Sequence, residues 1–183
     1  MRKTLLATGL ILASCSAVAE TAAQDPSVMS NFSYDYYEAR IGASPVTFGG
    51  GFSKSIHPNA HAIVTVDSEL EGDYDLAGGV GFHAPVNNWA DITGEMLIRS
   101  VKHDKHYKNG EVGMEINIGV RQWLGPQLEV GGKIGHVSID DNDDTVGTVY
   151  GRFHSTELFS IGVEGRFNGI YDDHFMLSTR FKF

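Results

Sequence analysis

From residue 33 to the C-terminus, apolar and polar residues alternate with a period of two along most of the chain. The clearest case is 112–120, where every second residue from Val112 to Val120 is apolar and the residues between them include Glu115 and Asn117. Successive side chains of a strand point to opposite faces, so this pattern predicts a strand with one apolar and one polar face. The final segment, 173–183, repeats the pattern. The alternation predicts an all-β fold.

Segments of this kind predict about ten strands. They lie near 33–43, 46–55, 60–68, 74–84, 89–101, 111–123, 127–138, 145–154, 158–167 and 173–183. An even number of antiparallel strands fits a closed up-and-down transmembrane β-barrel, with both chain ends on one side of the membrane. Eight strands is the alternative, if 46–55 or 60–68 is irregular.

The connections between the predicted strands fall into two interleaved sets. One set is short and turn-like, at 57–59, 85–88, 125–127 and 154–157. The other is mostly longer and charged, at 68–73, 102–110, 138–144 and 168–173, with a tight member at 44–45. Short periplasmic turns and longer outer loops are typical of outer-membrane barrels.

The polar face carries eight acidic and eight basic residues. An unpaired buried charge is costly, so equal numbers of the two signs indicate charges that pair inside a narrow lumen. Alternation alone also permits a soluble lipocalin-like barrel, whose apolar face would point inward. The predicted lumen-lining residues are Glu38, Arg40, Asp75, Asp91, Glu95, Arg99, Glu115, Arg121, Lys133, Arg152, Glu164, Arg166 and Arg180, and Asp67, Glu129 and Lys182 complete the face.

Aromatic residues cluster near the ends of the predicted strands. Girdles at the two membrane interfaces would place them there, although ordinary β-propensity explains them equally well. The residues are Tyr34, Tyr36, Tyr37, Trp89, Trp123, Phe167 and Tyr171.

The first residues are typical of an export signal. Arg2 and Lys3 precede a short apolar stretch at 5–12, and 17–19 has the small-x-small pattern of a cleavage site. We therefore expect a signal peptide at 1–19, a flexible lead-in at 20–32 and a barrel at 33–183. The stretch at 12–15 also resembles a lipobox, so lipidation at Cys15 is the alternative to cleavage after Ala19.

Net charge excludes one class of partner. The formal charge is −9, and cleavage after Ala19 removes two bases and no acid, which lowers it to −11. Such an acidic chain argues against nucleic acid as a partner.

Two short motifs resemble known outer-membrane proteins. The last strand, which ends on Phe181 and Phe183, is similar to the terminal strand that the outer-membrane assembly machinery recognises. The motifs at 33–38 (Ser-Tyr-Asp-Tyr-Tyr-Glu) and 55–59 (Ser-Ile-His-Pro-Asn) resemble a family of small Gram-negative outer-membrane barrels once described as secreted quorum or immune-elicitor factors. This resemblance implies an outer-membrane barrel with no catalytic residues. The chain departs from the family at 44–45, where a longer acidic loop is expected.

Three polar clusters contain residue types that are used in metal binding or hydrolysis. The segment 102–107 holds two histidines and an aspartate but offers no third metal ligand at a telling spacing. The acidic run at 140–144 lacks the glycine and the final glutamate of a calcium loop. His154 and Ser155 are adjacent on a turn, which prevents triad geometry between them. We therefore predict no catalytic, metal-binding or cofactor-binding residues.

These observations predict a monomeric barrel in the outer membrane, in contact with lipid and lipopolysaccharide. Its expected role is structural or in surface interaction. Limited passage of small solutes through the narrow charged lumen is a further possibility. The alternatives are an outer-membrane enzyme acting on lipid or lipopolysaccharide, and a soluble lipid binder.

Overall fold

The computed structural model describes residues 31–103, 107–140 and 142–183, with side chains for all of these except 107–109. The described chain forms ten strands. They are β1 (Tyr36–Ala43), β2 (Phe48–His57), β3 (Ala60–Ser68), β4 (Tyr74–Asn87), β5 (Ala90–His103), β6 (Tyr107–Trp123), β7 (Leu128–Ile139), β8 (Asn142–His154), β9 (Phe159–Gly169) and β10 (Asp172–Lys182). No helix in this part of the chain is long and apolar enough to cross a membrane.

The ten strands close into one antiparallel barrel. Each strand pairs with its neighbours in sequence, and β1 pairs with β10 from Tyr36↔Lys182 to Ala43↔Phe175. Closure leaves no sheet edge, so the backbone groups of the strands pair within the protein. The predicted ten-strand up-and-down barrel is confirmed, and the eight-strand alternative is wrong.

The barrel has two ends that differ in their connections. We call the end that holds Tyr36 and Lys182 the terminal end, with turns at 58–59, 88–89, 124–127 and 155–158. The opposite, distal end holds the connections at 44–47, 69–73, 104–106, 140–141 and 170–171.

Most of the distal connections are shorter than the sequence predicted, whereas the first, at 44–47, is longer than the tight connection expected at 44–45. Strands β7 and β8 continue through most of the expected loop at 138–144, and only 140–141 separates them. The same holds for β5 and β6 around 104–106. Residues 142–145 are exposed on both faces of β8, and a strand without an apolar face has the same sequence pattern as a loop.

The apolar face of each strand points outward. Along β6, Met114, Ile116 and Ile118 are 51–65% exposed, whereas the intervening Glu115 and Asn117 are buried. Among the described residues, large hydrophobic side chains are far more often exposed than buried. A water-soluble monomer seldom exposes so large a continuous apolar surface. The soluble lipid-binder alternative required the opposite arrangement, with the apolar faces inside.

Candidate functional site: the charged interior of the barrel

The thirteen predicted lumen residues all lie on the inner wall, where they are buried or partly buried. They lie there because successive residues of a strand point to opposite faces, and each of these residues alternates with the apolar residues of the outer wall. Asp67 and Glu129 are also buried inside. The structure brings most of these charges together in ion pairs, which fall into four linked groups.

Glu38 is the centre of the first group. Its carboxylate accepts hydrogen bonds from Arg152 Nη2 at 3.3 Å and from Arg40 Nη1 at 3.4 Å, and from Arg180 Nε. Only 3% of the Glu38 side chain is exposed. The contact with Arg152 joins β1 to β8 across the lumen, so one carboxylate on β1 neutralises arginines from two other strands as well as its own.

Asp67 on β3 is the centre of the second group. Arg40 binds it with both Nε (3.2 Å) and Nη2 (2.8 Å), which is the fork geometry that suits a carboxylate. Arg166 on β9 reaches the same carboxylate at 3.6 Å and also donates to Glu164. This group therefore ties β1, β3 and β9 together.

The third group crosses from β4 to β7 near the middle of the barrel. Arg99 binds Asp75 through two nitrogens, at 2.7 and 3.1 Å, and contacts Glu115 at 2.7 Å. Asn117 bridges Glu115 to Glu95. Glu95 in turn accepts a hydrogen bond from Lys133 Nζ at 2.8 Å.

Glu129 organises the fourth group, nearer the terminal end. It accepts hydrogen bonds from Arg121 at 3.0 Å and Tyr150 at 2.9 Å, and its other oxygen lies 2.9 Å from His154 Nε2. The histidine thus points into the barrel and contacts a carboxylate, while Ser155 lies exposed on the turn. His154 and Ser155 therefore do not form a hydrolase-type pair.

A central cavity of about 110 Å³ lies between these groups. Glu95, Arg99 and Lys133 line it together with apolar Ile63 and Leu97. A volume of this size has room for several water molecules. It is far below the 300–1,000 Å³ that is typical of pockets for drug-sized ligands.

The terminal mouth is filled by residues that precede β1. Tyr34 stacks on His83 and lies beside His61, with ring centroids 3.8 and 4.7 Å away, and its hydroxyl donates to Asp91 at 2.8 Å. Phe32 stacks on Trp123 at 5.3 Å. Burial raises the pKa of the Tyr34 hydroxyl above its ordinary range, so the hydroxyl remains a proton donor at neutral pH.

The distal mouth is covered by the turn between β9 and β10. Tyr171 is only 2% exposed, and its hydroxyl donates to Asp73 at 2.6 Å and to the Asp67 carbonyl at 3.2 Å. Ile170 packs on a buried apolar cluster at the same end, made by Val101, Val137, Ile139 and Val146. Side chains of the described residues therefore occupy space at both mouths.

Hydrogen bonds set the charge of Asp73 in this cover. Partial burial alone would raise the pKa of its carboxyl, but donors from the backbone of Glu69 and from Tyr171 outweigh burial and hold the pKa below its ordinary value. Burial and the contact with Asp73 raise the pKa of Tyr171. The pair thus consists of a carboxylate and a protonated phenol at neutral pH.

The structure differs from the sequence interpretation for part of the aromatic set. Tyr37, Trp89 and Phe167 are exposed on the outside, as in a girdle. In contrast, Tyr34, Tyr36 and Tyr171 are buried inside the barrel. The sequence indicated this position for two of them, because Tyr34 and Tyr36 lie an even number of residues before the inward-facing Glu38.

The histidine segment and the acidic run show no metal site in the described residues, where no group of three or more potential ligands is gathered. His103 faces inward, 3.7 Å from Glu69. Residues 104–106 and 141 of the two predicted clusters lie outside the described part of the chain.

Comparison with known proteins identifies the fold. No family model and no curated protein matches the chain. Among solved structures, KdgM porin in complex with disordered oligogalacturonate matches 81% of this chain and 99% of its own, with 8% identity and a TM-score of 0.52. NanC porin (8% identity, TM-score 0.46) and the Acinetobacter baumannii outer membrane protein Omp33 (6%, 0.42) each match at 98% of their own length and 81% and 82% of this one. The chain therefore shares the closed-barrel fold of KdgM porin.

Proposed function

We propose that this chain is a monomeric barrel of a Gram-negative outer membrane, closed in its resting state, with a structural or surface-interaction role. Its apolar outer wall is suited to lipid, because closed barrels satisfy every strand hydrogen bond internally. Membership of the small-barrel family suggested by the motifs at 33–38 and 55–59 is part of this proposal, as is export by a signal peptide at 1–19.

The observation that carries the proposal is the set of ion pairs that join distant strands through the lumen. Arg152 on β8 binds Glu38 on β1, and Arg166 on β9 contacts Asp67 on β3. Such contacts occupy the space through which a solute would pass. The interior acids and bases are also equal in number, so the lumen carries no net charge that would favour an anion or a cation throughout its length.

The test is electrical recording of the full-length protein in planar lipid bilayers. We expect insertion without stepwise conductance, because both mouths and the lumen are filled. A steady open channel in most insertions would overturn the proposal. Gel mobility of boiled and unboiled samples establishes in parallel that the inserted protein is a folded barrel.

Small-solute passage is the second candidate. It is favoured by the water-sized cavity and by the likeness to KdgM porin, a protein solved with an oligogalacturonate. Passage would require the residues at both mouths to move. The same recordings decide between the candidates, since passage predicts ion flow that the structural role does not.

We also propose that the C-terminal strand carries the contact with the assembly machinery. Phe183 lies on the outer wall against Tyr37 (4.8 Å) and Phe52 (5.9 Å), which places its ring beside lipid at the terminal end. Phe183→Ala should lower the amount of heat-modifiable barrel in the membrane fraction. Phe175→Ala, an outward phenylalanine of the same strand, is the control. Equal amounts of barrel from all three chains would contradict an assembly role.

A further inference from the structure

The segment 31–35 enters the barrel without joining its sheet. Strand pairing begins at Tyr36, and the residues before it form no ladder with β2 or β10. Hydrogen bonds tie the segment to the wall at Asn31, Tyr34 and Asp35. The Asp35 carbonyl accepts from Phe183 N–H at 3.4 Å, and its carboxylate accepts from Ser55 N–H. Asn31 Nδ2 donates to the Asn88 carbonyl at 2.8 Å, Ser53 Oγ donates to the Tyr34 carbonyl at 2.6 Å, and the Tyr34 hydroxyl donates to Asp91. The segment can leave while every strand pair of the barrel remains.

Aromatic, cationic and acidic side chains of the wall surround Tyr34. His83 stacks on its ring with 10° between the planes, and His61 lies beside it at 26°, with the two histidine centroids 5.8 Å apart. The Arg121 guanidinium lies 4.7 Å from the ring centroid, within the range of a cation–π contact. Asp91, which is fully buried, accepts the hydroxyl proton at 2.8 Å. An apolar ring would fill the same space but would not supply this hydrogen bond.

Two residues of this site are held by contacts that do not involve the segment. Arg121 donates a hydrogen bond to Glu129, and His83 Nε2 lies 2.9 Å from the Pro58 carbonyl. Release of the segment would expose the buried rings of Phe32 and Tyr34 but would break no strand pair of the barrel.

We propose that the terminal mouth is a binding site for one phenolic ring, formed by His61, His83, Asp91 and Arg121, which Tyr34 fills in cis as a releasable plug. Phe32 supports the plug by stacking on Trp123 and under Arg121, whose guanidinium lies 4.6 Å from its ring. A free phenol, or a tyrosine side chain of another polypeptide, is the chemical class that the vacated site would take. The inference goes beyond the structural role and does not depend on conductance.

The test uses a cysteine placed just inside the plug. Thr93 lies two residues beyond Asp91 on the same face of β5 and lines the central cavity. A Thr93→Cys chain in detergent is treated with a small charged thiol reagent, and labelling of the parent chain, whose one cysteine is Cys15, is subtracted. Ser155→Cys, on an exposed turn, reports reagent activity.

Adding Tyr34→Ala should raise the labelling rate of Cys at position 93 by at least about tenfold, because the mouth then stands open. Tyr37→Ala, which truncates an exposed tyrosine on the outer wall, should leave the rate unchanged. In the Tyr34→Ala chain, p-cresol should restore protection in a saturable way. Toluene should need about tenfold more, because it leaves Asp91 without the hydroxyl donor.

Heat-modifiability shows whether each variant is folded. If folded Tyr34→Ala is labelled at the parent rate, or if p-cresol and toluene protect equally, the proposal is overturned. Should Tyr34→Ala fail to fold, Phe32→Ala and Tyr34→Phe decide the matter. Each should accelerate labelling several-fold, and an unchanged rate in both would overturn the proposal.

Discussion

Replacement of Glu38 by alanine tests whether the interior charge network stabilises the barrel. The carboxylate is the shared partner of Arg40, Arg152 and Arg180, and the side chains of Glu38 and Arg152 are almost fully excluded from solvent. Removal of the carboxylate breaks the ion pair of Arg152, whereas Arg40 keeps its pair with Asp67. The variant thus creates uncompensated positive charge inside a closed lumen.

The size of the effect follows from the burial of the pair. Removing one partner of a buried ion pair costs about 3–5 kcal/mol, because the remaining charge stays desolvated. Every 1.4 kcal/mol corresponds to a factor of ten, so the ratio of folded to unfolded protein should fall by between about a hundredfold and a few thousandfold. Solvent screening does not reduce this cost greatly, since only 3% of the Glu38 side chain is exposed.

The assay is reversible urea unfolding in phospholipid vesicles, followed by tryptophan fluorescence. Glu157→Ala, on an exposed turn, is the matched control and should change stability by less than about 0.5 kcal/mol. Glu38→Ala combined with Arg180→Ala should cost less than the two single changes together, because charges in one network couple. A loss below about 1 kcal/mol for Glu38→Ala, or strict additivity in the double variant, would refute the reasoning.

Three further changes probe the outer wall, the packing inside it and the distal cover. Ile118→Arg, opposite Gly94 and Ile134 on the apolar wall, should destabilise the barrel in vesicles by about 2–4 kcal/mol, while Val112→Arg, nearer the distal end, should cost about 0–1 kcal/mol. Equal costs would contradict a membrane boundary between them. Gly79→Ala places a Cβ 2.0 Å from the Met96 carbonyl oxygen and should cost about 1–3 kcal/mol, whereas Gly151→Ala meets nothing within 4 Å and should be nearly neutral in the same urea titration. Tyr171→Phe removes the donor to Asp73 and should cost about 1–2 kcal/mol at pH 7. Because the pKa of Asp73 is depressed in the folded state, its contribution is present above the unfolded pKa of about 3.9 and is lost as the pH falls through the folded value. The difference between wild type and Tyr171→Phe should therefore shrink below about pH 4, and a constant difference from pH 7 to pH 3 would contradict this pairing.

The architecture was predictable because alternation is a local property of strands. In 112–120 the apolar side chains are two residues apart, and the structure exposes all of them on the outer wall of β6. Closure followed from the count and order of such segments. The extent of the distal loops was not predictable, since 142–145 carries polar residues on both faces and only hydrogen bonds distinguish strand from loop there.

The pairing of the interior charges is beyond the reach of sequence alone. Arg166 and Asp67 lie 3.6 Å apart although 99 positions separate them in the sequence. No pattern in either segment indicates that these two residues pair. The position of Tyr34 is a different case. Tyr34 lies an even number of residues from Glu38, which predicts a side chain that points into the lumen. Aromatic residues near strand ends are also typical of the membrane interface, and this pattern favoured a girdle instead. Tyr171 lies on a turn, where parity gives no direction.

The interior of this barrel must be stabilised by interactions other than the hydrophobic effect. In the outer-membrane placement that we propose, lipid solvates the apolar outer wall, so burial of apolar surface contributes little to holding the lumen together. Apolar clusters such as Val101, Val137 and Ile139 occur inside, but most of the buried inner wall is polar or charged. Each such charge is tolerable only beside a partner, which makes balance between acids and bases a requirement of the fold and not a feature of a transport path. A barrel of this size that conducts ions would need fewer ion pairs across its lumen. The charges left unpaired would then determine whether anions or cations pass.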